Sequence, residues 1–283
     1  MLAYRHAFHA GNHADVLKHF VLVQVLRRMA EKDKPFTLID THAGAGGYSL
    51  EGRYALKHAE FEGGIGRLWS HDALPSALAD FVDLVRQFNG GGALEQYPGS
   101  PAFAQMLLRA TDPLHLYELH PTEHRILAAF LGARPHTRVL MADGFAALAK
   151  DLPPPSRRGV VLIDPPYELK TDYAKALGAV RTCLERFATG VVLVWLPQVA
   201  LVEAQQLPRR LANAAAAAPR GWLHARLTVA PVGERGLGLT GSSMFVVNPP
   251  HGLHDALRDV LPFLALALAQ FDGATHALEQ HVP

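Results

Sequence analysis

Residues 35–50, "PFTLIDTHAGAGGYSL", join a short apolar run to a turn made of small residues. An apolar run that ends at a carboxylate, here Asp40, is typical of a buried strand. Small residues after a strand let the backbone approach a ligand closely, as in nucleotide-binding turns, although a tight turn would use Gly44 and Gly46 equally well. The stretch therefore predicts a strand, a break, and a candidate ligand loop at the carboxyl end of the strand.

Six further strand-like runs follow, most of them separated by stretches with helical periodicity: "LHLYELH", "TRVLMAD", "GVVLIDPPY", "GVVLVWLPQ", "HARLTVAP" and "SMFVVNPP". Continuously apolar strands that alternate with helices indicate a parallel sheet covered on both faces. We therefore predict an α/β fold with a mostly parallel, seven-stranded sheet and helices on both faces.

Two segments complete the predicted organisation. Asn12 is a good N-cap, with Asp15 three residues later, and predicts a helix through about Met29. About 70 residues separate the first strand from "LHLYELH", far more than the dozen or so that a crossover requires. We therefore predict a single domain over residues 1–283 that contains a small helical insertion at residues 48–97.

Composition excludes several classes of protein. Of 283 residues, 49% are hydrophobic and 19% charged, and 27 Lys and Arg balance 26 Asp and Glu, so any nucleic-acid surface must be a local patch. One cysteine, Cys183, gives no disulfide framework. The amino terminus lacks the apolar core of a secretory signal, and the apolar run at 260–271 is shorter than the roughly 20 residues a bilayer requires. These features predict a cytoplasmic protein without a membrane segment.

Four candidate functional signals follow four of the predicted strands, at the edge where open α/β sheets bind ligands. The first is the Gly-rich turn after Asp40. Glu118 could accept hydrogen bonds from ribose hydroxyls, although a solvated strand end is the simpler alternative. The Asp143 carboxylate could accept a hydrogen bond from an exocyclic amine, with a backbone donor beside it at Gly144. Helix capping explains Asp143 nearly as well.

The fourth signal, the segment "DPPY" at residues 164–167, is the specific one. Two prolines remove two backbone donors and stiffen the chain, which leaves carbonyls free to accept from a ligand amine. Asp164 adds a carboxylate acceptor beside the Pro165 carbonyl, and Tyr167 adds an aromatic face for a planar base. The segment predicts a pocket that binds an amino group. A near copy, "NPPH" at residues 248–251, lacks the acid and is interpreted as the exit from a C-terminal strand.

Histidines are dense near the amino terminus, in "HAFHAGNHADVLKH" at residues 6–19. Imidazoles at this density, with Asp15 among them, raise the possibility of a zinc or iron site. No cysteine lies nearby, and the spacing is not that of two histidines on one helical face in a zinc protease.

The motifs in this order resemble S-adenosylmethionine-dependent methyltransferases that modify exocyclic amines of nucleobases. More narrowly, "YRHAFHAGNHADVLKH", "YPGSP", "ELHP", "ADGF" and "RRGVVLIDPPYE" resemble the RlmJ family of 23S rRNA adenine-N6 methyltransferases, nearly end to end. The resemblance implies a Rossmann-like class I methyltransferase core with an inserted helical subdomain. It also implies S-adenosylmethionine as cofactor and methylation of adenine 2030 of 23S rRNA during ribosome biogenesis.

Matching motifs carry the functional residues of that family onto this chain. The implied cofactor-binding residues are Lys18, His19, His42, Gly44, Gly46, Ser100, Glu118, Asp143, Gly144 and Asp164. Within this set, Glu118 would bind the ribose, Asp143 and Gly144 the adenine, and Ser100 and His19 the methionine end.

Catalysis and RNA contact follow from the same match. The implied catalytic residues are Asp164, Pro165 and Tyr167, and the implied RNA contacts are Tyr4, Arg5, His6 and Tyr167. Because the sulfonium of the cofactor supplies the electrophile, no step needs a metal, and we predict none. We also predict a monomer whose partner is 23S rRNA.

Several alternatives stay open at this point. The same pocket could serve guanine N2, cytosine N4 or adenine in DNA, and an RNA-binding module without catalysis is a different class. A dehydrogenase fits less well because the Gly-rich turn lacks the third glycine of the dinucleotide fingerprint. Candidate phosphate contacts, each of which could equally be a solvated surface residue, are Arg5, Arg53, Arg67, Arg157 and Arg158.

Overall fold

A computed structural model describes residues 6–51, 59–233 and 238–283. Its strands are β1 (Thr37–Asp40), β2 (Gly47–Ser49), β3 (Gln96–Pro98), β4 (Leu114–Tyr117), β5 (Thr137–Leu140), β6 (Gly159–Ile163), β7 (Val191–Gln198), β8 (Trp222–Thr228), β9 (Gly241–Val247) and β10 (Thr275–His281). Its α-helices are α1 (His13–Ala30), α2 (Ile65–Trp69), α3 (Ser76–Phe88), α4 (Ser100–Leu107), α5 (Pro121–Leu131), α6 (Gly144–Asp151), α7 (Lys170–Arg186), α8 (Val202–Ala214) and α9 (Leu253–Ala267). Short 3-10 helices cover His6–Phe8 and Glu60–Gly63.

The central sheet has eight strands in the order β10-β8-β9-β7-β6-β1-β4-β5. Strands β7, β6, β1, β4 and β5 run parallel to one another, whereas β9, β8 and β10 pair in antiparallel fashion. The predicted α/β class is confirmed, and the predicted count of seven strands is wrong. The missed strand is β10, "THALEQH", a mostly exposed edge strand without the apolar run that marks the others.

Helices cover both faces of the sheet, as predicted. Successive residues of β1 point to opposite faces: Leu38 belongs to the core cluster that contains residues of α1 and α9, and Ile39 belongs to the cluster that contains residues of α7 and α8. Two separate hydrophobic layers therefore hold the strand ends in fixed positions.

Helix α1 begins where the sequence predicts. The Asn12 side-chain oxygen accepts hydrogen bonds from the backbone amides of Ala14 at 2.9 Å and Asp15 at 3.0 Å. Residues 13–23 of the helix are all buried, because α1 contacts β9 on one side and α3, α4 and α9 on others. Its polar residues therefore reach the interior of the molecule.

The segment between β1 and β4 contains α2, α3 and the small antiparallel pair of β2 with β3. Phe81 of α3 stacks on Phe103 of α4 with ring centroids 5.5 Å apart, and both belong to the cluster under α1. The helices expected here are present, and they share the core of the sheet. The subdomain boundaries at 48 and 97 stay a prediction.

The second Pro-Pro segment, at residues 248–251, lies at the opposite end of the strands from the first, at residues 164–167. Strand β9 is antiparallel to β7, so Asn248 emerges beside the start of β7. The side-chain Nδ2 of Asn248 donates to the carbonyls of Ala188 at 2.7 Å and Gly190 at 2.8 Å. The segment is the exit of a strand, as predicted, although β10 follows it in the chain. No described helix is long and apolar enough to span a bilayer.

Candidate functional site

The four signals from the sequence meet because β6, β1, β4 and β5 are neighbours with the same direction. A cavity of about 430 Å³ opens at their carboxyl ends. The predicted site residues that line this cavity are His6, Lys18, His19, His42, Gly44, Ser100, Glu118, Asp143, Asp164 and Pro165. The volume lies in the range of cavities that hold small ligands and cofactors.

Lys18 lies between two carboxylates. Its Nζ is 2.7 Å from Asp15 Oδ1 and 2.7 Å from Asp164 Oδ2, and its side chain is almost fully buried. Burial alone would lower the pKa of Lys18, but Asp15 and Asp164 outweigh burial and raise that pKa. Lys18 is therefore a permanent cation that fixes the position of Asp164.

Asp15 connects this pair to the segment before α1. It accepts hydrogen bonds from His6 Nε2 at 2.8 Å and from the Gly11 amide at 3.0 Å. Burial would raise the pKa of Asp15, but His6 and Lys18 hold it well below its ordinary value. The residues before α1 are thereby tied to the side of the cavity that contains Asp164.

Ser100 and Asp40 form a second buried pair beside the Gly-rich turn. Ser100 Oγ donates to Asp40 Oδ2 at 2.6 Å, and the His42 amide donates to Asp40 Oδ1 at 3.1 Å. Burial raises the pKa of Asp40 to about 7. Ser100 lines the cavity and Asp40 lies beneath it, so Asp40 holds the serine hydroxyl in place.

The turn after β1 is fixed by Glu118, which follows β4. The Glu118 carboxylate accepts from the amides of Gly44 at 2.9 Å and His120 at 2.6 Å. Gly44 has a φ of 63°, and a Cβ there would lie 2.2 Å from the Tyr48 hydroxyl. Each carboxylate oxygen keeps a second lone pair, so Glu118 can still accept from ligand hydroxyls.

Asp143 and Gly144 have structural roles at the start of α6. Asp143 Oδ1 accepts from the Phe145 amide at 2.9 Å, which is the capping alternative that the sequence left open. A Cβ on Gly144 would lie 2.1 Å from the Thr41 carbonyl oxygen, so only glycine fits against β1. Asp143 lines the cavity and Gly144 does not.

Gly46 also packs against protein. Its φ is 92°, and a Cβ there would lie 2.7 Å from the Phe130 ring. Gly46 and Gly144 do not line the cavity, and close packing explains why both positions are glycine. Their contact with the cofactor stays a prediction.

Tyr167 is the largest departure from the sequence prediction. The residue is only 8% exposed. Its ring packs on Tyr173 with centroids 4.6 Å apart, and its hydroxyl donates to the Trp195 carbonyl at 2.9 Å. The ring therefore belongs to the core between α7 and β7, and the expected stacking face for a base is not available there.

Among the described residues, the Phe, Tyr and Trp side chains that line the cavity are Tyr48, Phe145 and Trp195 of β7. Trp195 packs beside Tyr167, with ring centroids 5.9 Å apart. Its Nε1 is buried and has no hydrogen-bond partner among the described residues. No local pattern marks Trp195 as a site residue, because it lies inside the run "VVLVWLPQ" and resembles an ordinary core residue.

His19 and His42 reach the cavity as neutral rings. His19 Nδ1 shares a hydrogen bond with the Tyr97 hydroxyl at 2.9 Å, and burial lowers the pKa of His19 well below its ordinary value. Burial also lowers the pKa of His42 to about 4. Both imidazoles can therefore donate or accept a hydrogen bond without adding charge.

The amino-terminal histidines divide among separate partners: His6 contacts Asp15, His9 contacts Glu60 at 2.9 Å, and His19 contacts Tyr97. Among the described residues, no three His, Cys, Asp or Glu side chains are placed to share a metal ion.

The structure describes only some of the residues predicted to contact RNA. Tyr4, Arg5 and Arg53 lie outside the described residues. Arg158 donates to the carbonyls of Met29 at 2.8 Å and of Lys34, and Arg157 precedes it at the amino end of β6, opposite the cavity. Arg67 donates to the carbonyl of Ala267 at 3.3 Å. Arg67 and Arg158 therefore bind carbonyls at the carboxyl ends of α9 and α1, and the structure does not favour them as phosphate contacts.

Comparison with known proteins gives a consistent result. Residues 33–279 match the family model described as "RsmJ: Ribosomal RNA large subunit methyltransferase D, RlmJ". The chain is 46% identical to ribosomal RNA large subunit methyltransferase J of Escherichia coli over 98% of this chain and 97% of that protein. It is 42% identical to the Haemophilus influenzae protein of the same name over the full length of both. A crystal structure of a Legionella pneumophila protein superposes with a TM-score of 0.87 at 33% identity, covering 96% of this chain and 98% of that one.

Proposed function

Because the chain belongs to the RlmJ family of ribosomal RNA large subunit methyltransferases, we propose that it methylates the exocyclic N6 of an adenine in 23S rRNA. The methyl donor is S-adenosylmethionine, and by resemblance the target is adenine 2030. The enzyme acts in ribosome biogenesis in the cytoplasm, as a monomer.

One observation carries the choice of an exocyclic amine as acceptor. Asp164 and Pro165 line the cavity, and Lys18 holds the Asp164 carboxylate from one side at 2.7 Å. A carboxylate has about four acceptor positions, so one contact with Lys18 leaves capacity for a substrate N–H. Apart from Lys18, the described hydrogen bonds use no part of the Asp164 side chain.

The cavity residues fit the proposed cofactor. Glu118 can accept from ribose hydroxyls, Asp143 retains one carboxylate oxygen for an exocyclic amine, and the buried Ser100–Asp40 pair offers a fixed hydroxyl. Gly44, whose Cβ would collide with Tyr48, brings backbone to the cavity wall. When bound, S-adenosylmethionine supplies an electrophilic methyl group, and the residues proposed to hold it are Lys18, His19, His42, Gly44, Ser100, Glu118 and Asp143.

The protein must make the adenine amine nucleophilic, because its lone pair is delocalised into the ring. Hydrogen bonds from the two N6 protons to Asp164 and to the Pro165 carbonyl favour a pyramidal nitrogen with its lone pair directed outwards. Catalysis is then positioning and electrostatic stabilisation. Asp164 accepts the proton that the amine loses, directly or through water.

Lys18 acts on this step through Asp164. Its ammonium fixes one carboxylate oxygen, so the other is oriented towards the cavity before substrate arrives. The contact of Lys18 with two carboxylates makes it a positioning residue in this scheme, beside the cofactor contact that the resemblance implies.

Trp195 replaces Tyr167 as the aromatic wall for the extruded base. Enzymes that act on a base remove it from its stack and hold it against aromatic or apolar side chains. Trp195→Ala should raise the KM for RNA about tenfold with little change in the KM for cofactor, and Tyr167→Phe, which keeps the buried ring, is the matched control. Equal KM values for RNA in wild type and Trp195→Ala would show that Trp195 does not contact the base.

The polymer that accepts the methyl group can be tested directly. Labelled S-adenosylmethionine is offered with unmodified 23S rRNA transcript, 16S rRNA transcript and double-stranded DNA in parallel. We expect label in the 23S transcript alone. Label in DNA, or in no polymer, would contradict the proposed function.

A further inference from the structure

A second groove lies away from the cavity, between α7 and α8. Its volume is about 440 Å³, and its walls are Leu177, Arg181, Arg210, Asn213 and Ala214. No carboxylate is among these residues. Two arginines and one asparagine therefore share a concave surface with Leu177 and Ala214.

The two arginines of this groove have no carboxylate partner among the described residues, unlike six other arginines of the chain. Arg27, Arg86 and Arg258 form ion pairs with Asp80, Asp83 and Asp255 at 2.8 to 2.9 Å. Arg181 forms no hydrogen bond or ion pair with any described residue, not even with Glu185 four positions further along α7. Its positive charge is not neutralised locally.

Arg210 is likewise paired only with a neutral group among the described residues. Its guanidinium donates to the Gln206 side-chain oxygen at 2.6 Å. That contact orients the side chain without cancelling its charge. A guanidinium has five donors, so four remain for a ligand.

The surrounding helices are basic although the chain as a whole is close to neutral. Helices α7 and α8 together carry six Lys or Arg against three Asp or Glu, while the net charge of the chain is only +1. A local excess of this kind is the electrostatic feature of a surface that contacts a polyanion.

The groove lies along the same two helices, α7 and α8, that begin near the cavity. Lys170 at the start of α7 lies 3.3 Å from Glu203 at the start of α8, and Leu169, directly before Lys170, lines the cavity. Arg181 is eleven residues beyond Lys170, which is roughly 16 Å along the helix axis. At about 3.4 Å per stacked nucleotide, this corresponds to about five nucleotides.

We propose that the Arg181–Arg210 groove binds the phosphodiester backbone of the rRNA substrate a few nucleotides from the methylated base. The proposal rests on the proposed function, because it takes rRNA as the polyanion. Arginine forks match phosphate geometry, and backbone contacts fix the register of a nucleic acid without reading its sequence. The groove would thus position the strand whose base enters the cavity.

The test compares Arg181→Gln/Arg210→Gln with a charge-matched control, Arg226→Gln/Arg258→Gln, in the full-length enzyme. Arg226 and Arg258 are exposed and paired with Glu279 and Asp255, outside the groove and the cavity. The affinity for an unmodified 23S rRNA transcript is measured over a range of salt concentrations without cofactor, alongside kcat at saturating RNA.

Loss of two phosphate contacts should reduce the slope of log affinity against log salt by about 1.4 to 1.8, because each contact contributes about 0.7 to 0.9. The KM for RNA should rise about tenfold or more, with kcat and the KM for cofactor unchanged. Arg181→Lys/Arg210→Lys should keep the wild-type slope because it keeps both charges.

A groove variant with the slope of the control would overturn the proposal. So would a lysine variant as defective as the glutamine variant, since that result indicates a structural role. A wild-type enzyme that binds the transcript but methylates nothing would defeat the proposed function instead, and the slopes would still decide the role of the groove.

Discussion

The chain contains two similar segments with a central Pro-Pro pair, Asp164-Pro165-Pro166-Tyr167 and Asn248-Pro249-Pro250-His251, which follow strands of one sheet and lie at opposite ends of it. The first follows the parallel strand β6 and opens onto the cavity, where its acid contacts only Lys18 among the described side chains. The second follows the antiparallel strand β9, and its asparagine is fully buried with all its hydrogen bonds made to backbone. The two prolines do not distinguish a candidate catalytic segment from a structural one. The distinction comes from the direction of the preceding strand and from whether the acid or amide still has free hydrogen-bonding capacity.

The strongest test of this difference is Asp164→Ala. It should lower kcat by about 10³-fold, because the acceptor for the amine protons and for the released proton is lost together. Cofactor affinity should stay within a few-fold of wild type. The measurement is single-turnover methyl transfer to 23S rRNA, with cofactor binding followed by calorimetry; near-normal turnover would exclude Asp164 from catalysis.

Lys18→Met should have the next largest effect, a loss of about 10²-fold in kcat, because the Asp164 carboxylate loses the contact that orients it. It should also lower the free energy of unfolding by about 3 kcal/mol, since two buried carboxylates lose their cation. Lys18→Arg, which keeps the charge, should restore most of the stability. Unchanged kcat in a folded Lys18→Met enzyme would show that Asp164 needs no partner.

Asp40 gives a prediction about pH on the catalytic side of the sheet. Because burial raises its folded pKa from an ordinary 3.8 to about 7, the folded state holds the proton more tightly than the unfolded chain does. Its contribution to stability is thus complete below about pH 4 and is lost as pH rises to about 7. The Asp40→Asn variant has no carboxyl group to titrate at this position. Its melting temperature relative to that of wild type should therefore rise over this pH interval. If the difference between the two melting temperatures stays constant from pH 4 to 7, Asp40 does not titrate in that interval.

Asn248→Ala should have the smallest effect on catalysis and act on stability alone. It removes three buried hydrogen bonds and places alanine at a φ of 53°, so we expect a loss of about 3 kcal/mol. Denaturant unfolding measures this loss, and kcat at a temperature where the variant is folded should stay within about twofold of wild type. A catalytic defect comparable to that of Asp164→Ala would erase the distinction between the two segments.

The sequence allowed prediction of what depends on local pattern. The apolar runs before Asp40, Glu118, Asp143 and Asp164 predicted strands, and because parallel neighbours end at one edge, these residues were expected near each other. The helix after Asn12 was also predictable, since capping is a short-range interaction.

Other features depend on three-dimensional packing and left no local signal. The position of the Tyr167 ring is set by contacts with Tyr173 and Trp195, which the pattern of residues does not encode. Strand β10 forms by pairing with β8 and needs little apolar sequence of its own. Gly46 and Gly144 look like parts of a ligand loop, yet they are glycine because Phe130 and Thr41 approach them closely.

The most direct test is the identity of the methylated base. Unmodified 23S rRNA transcript is incubated with the enzyme and S-adenosylmethionine carrying a deuterated methyl group, then digested and analysed by mass spectrometry, with Asp164→Ala in parallel. The account predicts labelled N6-methyladenosine at a single position with wild type, formed about 10³-fold more slowly by Asp164→Ala. Label on guanine N2 or cytosine N4, or N6-methyladenosine formed by Asp164→Ala at nearly the wild-type rate, would contradict it.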